Sequence, residues 1–229
     1  MTSPQNSNSA SPKLLPLFIK TEGLRCLIVG GGKVALRKVE QLLAVGAAVS
    51  ILAPEAEAQI KALHCARKVN WLDRAYKRGD IEGYHLVIAA TDDYEVNRGI
   101  SDEARERNIL VNVVDDPELC DVYFGAIWRE GGLIGALCTS GKAPFLSRAF
   151  RNRLENASRG WGDWLETGAK FRDFVRRAFP DEVKREEFYN RFIAIGPRAG
   201  RVDFIDNLTP EEWLERWRRL PTIEKFSSD

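Results

Sequence analysis

Three consecutive glycines, Gly30, Gly31 and Gly32, separate the apolar run Cys26-Leu27-Ile28-Val29 from a segment in which Ala35, Val39, Leu42 and Leu43 recur on one helical face. Strand, tight turn and helix therefore follow one another directly. Gly30, Gly32 and Ala35 keep the spacing G-x-G-x-x-A: Gly30 permits the bend, Gly32 lacks the Cβ that would hold a pyrophosphate away, and Ala35 lets the helix pack close to the strand. The helix start adds unpaired N–H groups and a partial positive charge. A dinucleotide is the ligand this arrangement suits, where a glycine-rich loop without such neighbours would be only a loop.

Carboxylates follow three further apolar runs. Ala48–Leu52 ends in Ala53-Pro54-Glu55, and Glu55 either holds ribose hydroxyls or opens a helix, Glu55 to Leu63. No arginine stands at this turn to receive a ribose phosphate, which favours NAD over NADP. His85–Ala90 ends in Thr91-Asp92-Asp93, where Asp92 or Asp93 can cap the helix Tyr94 to Arg107, touch a ligand, or do both. Ile109–Val114 ends in Asp115-Asp116-Pro117; Asp115 is placed to act as a general base or to bind a cation, and an Asx-type turn before proline is the alternative.

The elements needed to position these groups alternate as βαβ units, so the fold expected is α/β with a Rossmann-like parallel sheet over residues 14–116. Leu15 to Ile19 is an edge strand or an extended arm, and Val69 to Tyr76 a third strand. After residue 116 the rhythm changes. Val122–Arg129 and Leu133–Thr139 flank Glu130-Gly131-Gly132 as a hairpin, and Pro144 opens a helix, Phe145 to Leu154, made basic by Arg148, Arg151 and Arg153. This is a small α+β segment, 117–157. Residues 158–229 form a helical C-terminal domain, with helices expected from Trp161 to Ala178, from Glu182 to Ile193, and after the capping box Thr209-Pro210-Glu211-Glu212.

The 229 residues carry 34 basic and 33 acidic side chains, so net charge gives no general attraction to nucleic acid or to a membrane. No apolar run approaches the roughly 20 residues of a membrane helix. Residues 1–13 read as a disordered tail without a secretory or transit signal. Cys26, Cys65, Cys120 and Cys138 are widely spaced and read as reduced, mostly buried thiols of a cytoplasmic protein, not as a disulfide frame or a metal site.

The ordered segments LPLFIKTEGLRCLIVGGGKVALRKVEQLLAVGA, VIAATDD with Asn97, VNVVDDPELCDVYF and SGKAPFLSRAFRNRLE resemble the precorrin-2 dehydrogenase family of siroheme biosynthesis, which includes bifunctional dehydrogenase–ferrochelatases and the amino-terminal part of siroheme synthases. The resemblance implies NAD-dependent oxidation of precorrin-2 to sirohydrochlorin, with ferrochelatase activity left open. It maps the residue tied to catalysis onto Asp115. Contacts to NAD map onto the glycine turn with Lys33 and Val34, onto Pro54 and Glu55, onto Thr91 and Asp92, and onto Asn112. The substrate is a flexible polycarboxylate, so Lys142, Arg148 and Arg151 are its expected cationic partners. Family members form homodimers through the segment after the Rossmann unit. Two departures stand out: many relatives have a serine where this chain has Ala143, and the two histidines, His64 and His85, lie outside the substrate-facing segments. A non-catalytic NAD(H)-sensing module is the competing function; it needs neither Asp115 nor the basic helix.

Overall fold

The structure, a computed structural model, describes residues 13–140, 142–195 and Glu212. The chain divides into two compact units, the first ending at Phe124 and the second beginning at Gly125.

The first unit is a parallel sheet of β1 (Arg25–Val29), β2 (Ala48–Leu52), β3 (Asn70–Leu72), β4 (Leu86–Ala89) and β5 (Leu110–Val113), in the order β3-β2-β1-β4-β5. Helices α1 (Lys33–Leu43), α2 (Ala58–Cys65) and α3 (Tyr94–Glu106) connect the strands. The strands are mostly apolar because both faces are covered. Cys26 and Ile28 of β1 turn to one face with Ala35, Val39 and Leu42 of α1 and Ile60 of α2. Leu27 and Val29 turn to the other, with Ile100 and Ala104 of α3. Each such aliphatic side chain, fully buried, contributes about 1.5–3 kcal/mol relative to exposure.

The register aligns the strand ends. Val29 pairs with Ala89, and Ala89 with Val113, so the residues that follow β1, β4 and β5 emerge side by side at one edge. The order of the strands reverses between β1 and β4, which is where an open parallel sheet leaves a crevice for a ligand.

The second unit holds an antiparallel hairpin, β6 (Ala126–Glu130) and β7 (Leu133–Leu137), followed by α4 (Pro144–Ala157), α5 (Trp161–Ala178) and α6 (Glu182–Ile195). Trp164, Phe171 and Val175 of α5 bury against Phe188 of α6, with Phe192 stacked on Trp164 at a centroid distance of 4.5 Å. No helix among the described residues is long and apolar enough to cross a membrane.

Several expectations need correction. Of the two forms open to residues 15–19, edge strand or arm, the edge strand is not formed: the segment has no strand pairing, and Leu15, Leu17 and Phe18 are exposed on it. The third strand shrinks to Asn70–Leu72, and α2 begins at Ala58 behind Glu57 instead of at Glu55. Residues 117–124 belong with the first unit: Asp121 N–H and Val122 N–H both donate to the Val111 carbonyl, at 2.9 and 3.1 Å. Cys65 and Cys138 are exposed, since one ends α2 and the other follows the last residue of β7; all four cysteines are free. Residues 1–12 and all of the last expected helix but Glu212 lie outside the described residues.

Candidate active site

The glycine turn is shaped by what runs beside it. Gly30 has φ +119°, and a Cβ there would lie 2.2 Å from the Ala90 carbonyl oxygen. A Cβ on Gly31 would lie 2.0 Å from the Glu55 carbonyl oxygen, and Glu57 N–H donates to the Gly31 carbonyl at 2.9 Å. The turn is thus pressed between the ends of β4 and β2, and only glycine fits. Gly32 differs: a Cβ there would meet nothing within 4 Å. That open ground faces the start of α1, whose first intrahelical bond runs from Leu36 N–H to the Gly32 carbonyl at 3.0 Å. The amides of Lys33, Val34 and Ala35 precede that bond and lack an intrahelical acceptor.

Of the three helices that start at this edge, α1 and α3 contrast. Asp93 caps α3, its carboxylate accepting from the amides of Glu95 and Val96 at 2.9 and 3.2 Å. At α1 no side chain caps the helix, and no acidic residue occupies its first turn. Its partial positive charge is left for a ligand, and an anionic pyrophosphate fits there. The alternative left open at Asp92 and Asp93 resolves in favour of Asp93 as the cap, with Asp92 exposed beside it.

Thr91 is held by a buried amide. Asn97 Oδ1 accepts from the Thr91 hydroxyl at 2.7 Å, and Asn97 Nδ2 donates to the Thr91 carbonyl at 2.9 Å, which fixes the loop running past Gly30. Pro54 and Glu55 are exposed at the end of β2, and the Trp71 indole N–H donates to the Ala53 carbonyl at 3.0 Å to anchor that end. Glu55, outside α2, remains open to a ribose.

Asp115 follows β5 with φ +60° and an exposed side chain. The left-handed region is uncommon for any residue but glycine, although Asp and Asn tolerate it best. At one strand spacing per step, Gly30 and the residue after β5 are roughly 10 Å apart along the edge. Asn112 is occupied structurally: its Nδ2 donates to the Val122 carbonyl at 2.9 Å and lies 3.4 Å from Cys120 Sγ. The Cys120 thiol, pushed up by burial, donates to the carbonyls of Val113 and Asp116 at 3.1 and 3.2 Å and ties the chain down below Asp115.

Lys142, Arg148 and Arg151 belong to the second unit. Arg148 is exposed on α4, while Arg151 already bonds Glu155 one turn on, at 3.2 Å. Both histidines do structural work at the opposite sheet edge: His85 Nδ1 accepts from Arg25 N–H at 3.0 Å, and His64 Nδ1 from Trp71 N–H at 3.1 Å. Ala143 is the N-cap of α4 and offers no side-chain acceptor.

One half-buried cation escaped the sequence patterns. Lys38 of α1 is half-buried, with Nζ 3.9 Å from the centroid of the Phe124 ring. Burial pulls its ammonium down to about 8 and Arg37 adds to the fall, while Cys120 and Asp115 oppose it. The only sequence signal is a lysine one position before a core residue, Val39, which any amphipathic helix shows.

Residues 17–126 match the family model described as "Putative NAD(P)-binding". The chain is 42% identical over 187 residues to a siroheme synthase of Methylococcus capsulatus, a match that covers 81% of this chain and 39% of that protein. It is 40% identical over 205 residues to a siroheme synthase of Chromobacterium violaceum, covering 89% of this chain and 43% of that protein. The chain therefore spans about two fifths of these relatives. Its fold matches a solved structure titled SirC, precorrin-2 dehydrogenase, with a TM-score of 0.68 and 20% identity, covering 90% of this chain and 99% of that one.

Proposed function

We propose that the chain is a member of the precorrin-2 dehydrogenase and siroheme synthase family and oxidises precorrin-2 to sirohydrochlorin with NAD⁺. Asp115 carries the proposal: an exposed carboxylate, held at φ +60°, on the same sheet edge as the open glycine turn. A protein that only sensed NAD(H) would gain nothing from backbone strain at that position, which costs of order 1 kcal/mol or more.

Two hydrogens leave the substrate in this oxidation, one as hydride and one as a proton. NAD⁺, when bound, supplies the hydride acceptor. The amides at the start of α1 hold its phosphates, Glu55 takes ribose hydroxyls, and the absence of an arginine beside Glu55 favours NAD over NADP. Asp115 accepts the proton, and fixing both partners at one edge supplies most of the rate. Lys142, Arg148 and Arg151 are the proposed cationic partners of the tetrapyrrole carboxylates. The second unit carries the homodimer interface: Ile127 and Ile134 are exposed on one face of the hairpin, and Phe145 and Phe150 on α4. Four free cysteines suit a reducing cytoplasm.

The test is an anaerobic assay of the purified protein with enzymatically generated precorrin-2 and NAD⁺, followed by the absorbance of the macrocycle. Sirohydrochlorin formation supports the proposal, and bound NAD⁺ without turnover overturns it in favour of a sensor. Adding Fe²⁺ or Co²⁺ to sirohydrochlorin in a second step decides whether the chain also inserts metal.

A further inference from the structure

Lys38 has no role in the core or in the glycine turn, yet its position is tightly specified. It lies six residues beyond Gly32, about 9 Å along α1 at 1.5 Å per residue. Its stem is half-buried, and its Nζ rests 3.9 Å from the Phe124 ring centroid. Among the described residues no carboxylate oxygen lies within 4 Å of it. An aromatic face offsets only part of what a cation loses on leaving water. The groups that act on it are Arg37 from its own helix, Cys120 from the turn after β5, and Asp115. All lie in the first unit.

We infer that Lys38 is a substrate-binding residue: its ammonium, seated on the Phe124 ring, receives a carboxylate of the anionic tetrapyrrole. The inference rests on the activity proposed above for the same site. Asp115 by itself repels a polyanion from the place where the proton must be taken. A desolvated cation that interacts with it offsets that repulsion and fixes one carboxylate. An ion pair with the substrate also restores the charge that burial disfavours. Binding near pH 8 is therefore coupled to proton uptake.

The experiment is calorimetric titration of the full chain with sirohydrochlorin, which keeps the substrate's carboxylates, at pH 8 in buffers of different ionisation enthalpy. The wild-type protein takes up a fraction of a proton per ligand bound. Lys38→Met loses that uptake and at least tenfold in affinity. Lys38→Arg, always charged, keeps affinity within a few fold and also loses the uptake. NAD⁺ affinity is the same in all three. Wild-type affinity within twofold in Lys38→Met, or uptake persisting in Lys38→Arg, overturns the inference. The arginine variant decides the question even where the methionine variant folds poorly. A wild-type protein that turns over precorrin-2 while these variants behave like it refutes only the role of Lys38; one that neither binds sirohydrochlorin nor oxidises precorrin-2 removes the activity as well.

Discussion

Gly31 and Glu55 meet backbone to backbone: a Cβ on Gly31 would lie 2.0 Å from the Glu55 carbonyl oxygen, whereas one on Gly32 would meet nothing within 4 Å. Neighbouring glycines thus have separate reasons for being glycine, one structural and one reserved for a ligand. Gly31→Ala forces β2's end away from the turn and costs about 1–3 kcal/mol of stability. Gly32→Ala costs less than about 1 kcal/mol, because its φ of −79° suits alanine, but lowers NAD⁺ affinity at least tenfold. Thermal melts and calorimetric NAD⁺ titration separate the two effects. Wild-type NAD⁺ binding by Gly32→Ala would mean that the pyrophosphate does not lie over this residue.

At Asp115 stability and activity pull in opposite directions. Asp115→Gly relaxes the φ of +60° and raises unfolding free energy by up to about 1 kcal/mol, while abolishing the proton acceptor. Turnover of precorrin-2 falls by two orders of magnitude or more, with NAD⁺ affinity unchanged. Asp115→Asn, which tolerates the same backbone, loses activity without the gain in stability.

The contrast between local and distant determinants marks what could be read from the sequence. The strand, glycine turn and first helix were legible because bend, phosphate cradle and apolar face are all set within Cys26 to Leu43. The row of carboxylates at strand ends was legible for the same reason. Leu15 to Ile19 has the composition of a strand but no paired neighbour, and pairing is not a local property. The return of residues 117–124 to the first unit depends on Asn112 reaching the Val122 carbonyl, and the burial of Lys38 on Phe124, a residue far along the chain. Glu103, a carboxylate of α3, is fully buried because Gly79, Tyr76 and Arg107, distant in sequence or on the next turn, close around it.

The hairpin leaves Ile127 40% and Ile134 44% exposed on the face that also carries Arg129 and Ala136, and α4 leaves Phe145 65% exposed. Replacing Ile127 and Ile134 together by lysine places like charges on that face. If it forms the homodimer interface, light scattering after size exclusion changes from a dimer mass to the 25.8 kDa of one chain. A dimer unaffected by both lysines would rule this face out.

Ala143 gives α4 an N-cap without a side-chain acceptor. Ala143→Ser supplies an oxygen for the orphan amides of the first turn and raises stability by about 0.5–1 kcal/mol in urea unfolding. No change would mean that the helix start is already satisfied in another way.

Glu103 is the acceptor that joins α3 to the loop before β4. Its carboxylate takes the Gly79 amide at 2.9 Å, Arg107 Nε at 2.9 Å and the Tyr76 hydroxyl. Burial, and then the bond to Glu103, hold the Tyr76 phenol well above its ordinary value near 10. The group stays protonated in the folded protein at a pH where it ionises in the unfolded chain. Its contribution is therefore fully present below about pH 10 and declines as pH rises above it. Tyr76→Phe leaves one acceptor of Glu103 unmet and costs about 1–2 kcal/mol at pH 8. It also removes this part of the alkaline loss, so the difference between the two proteins in urea unfolding narrows from pH 9 to pH 11. A gap that stays constant over that interval would show that the phenol does not remain protonated against Glu103.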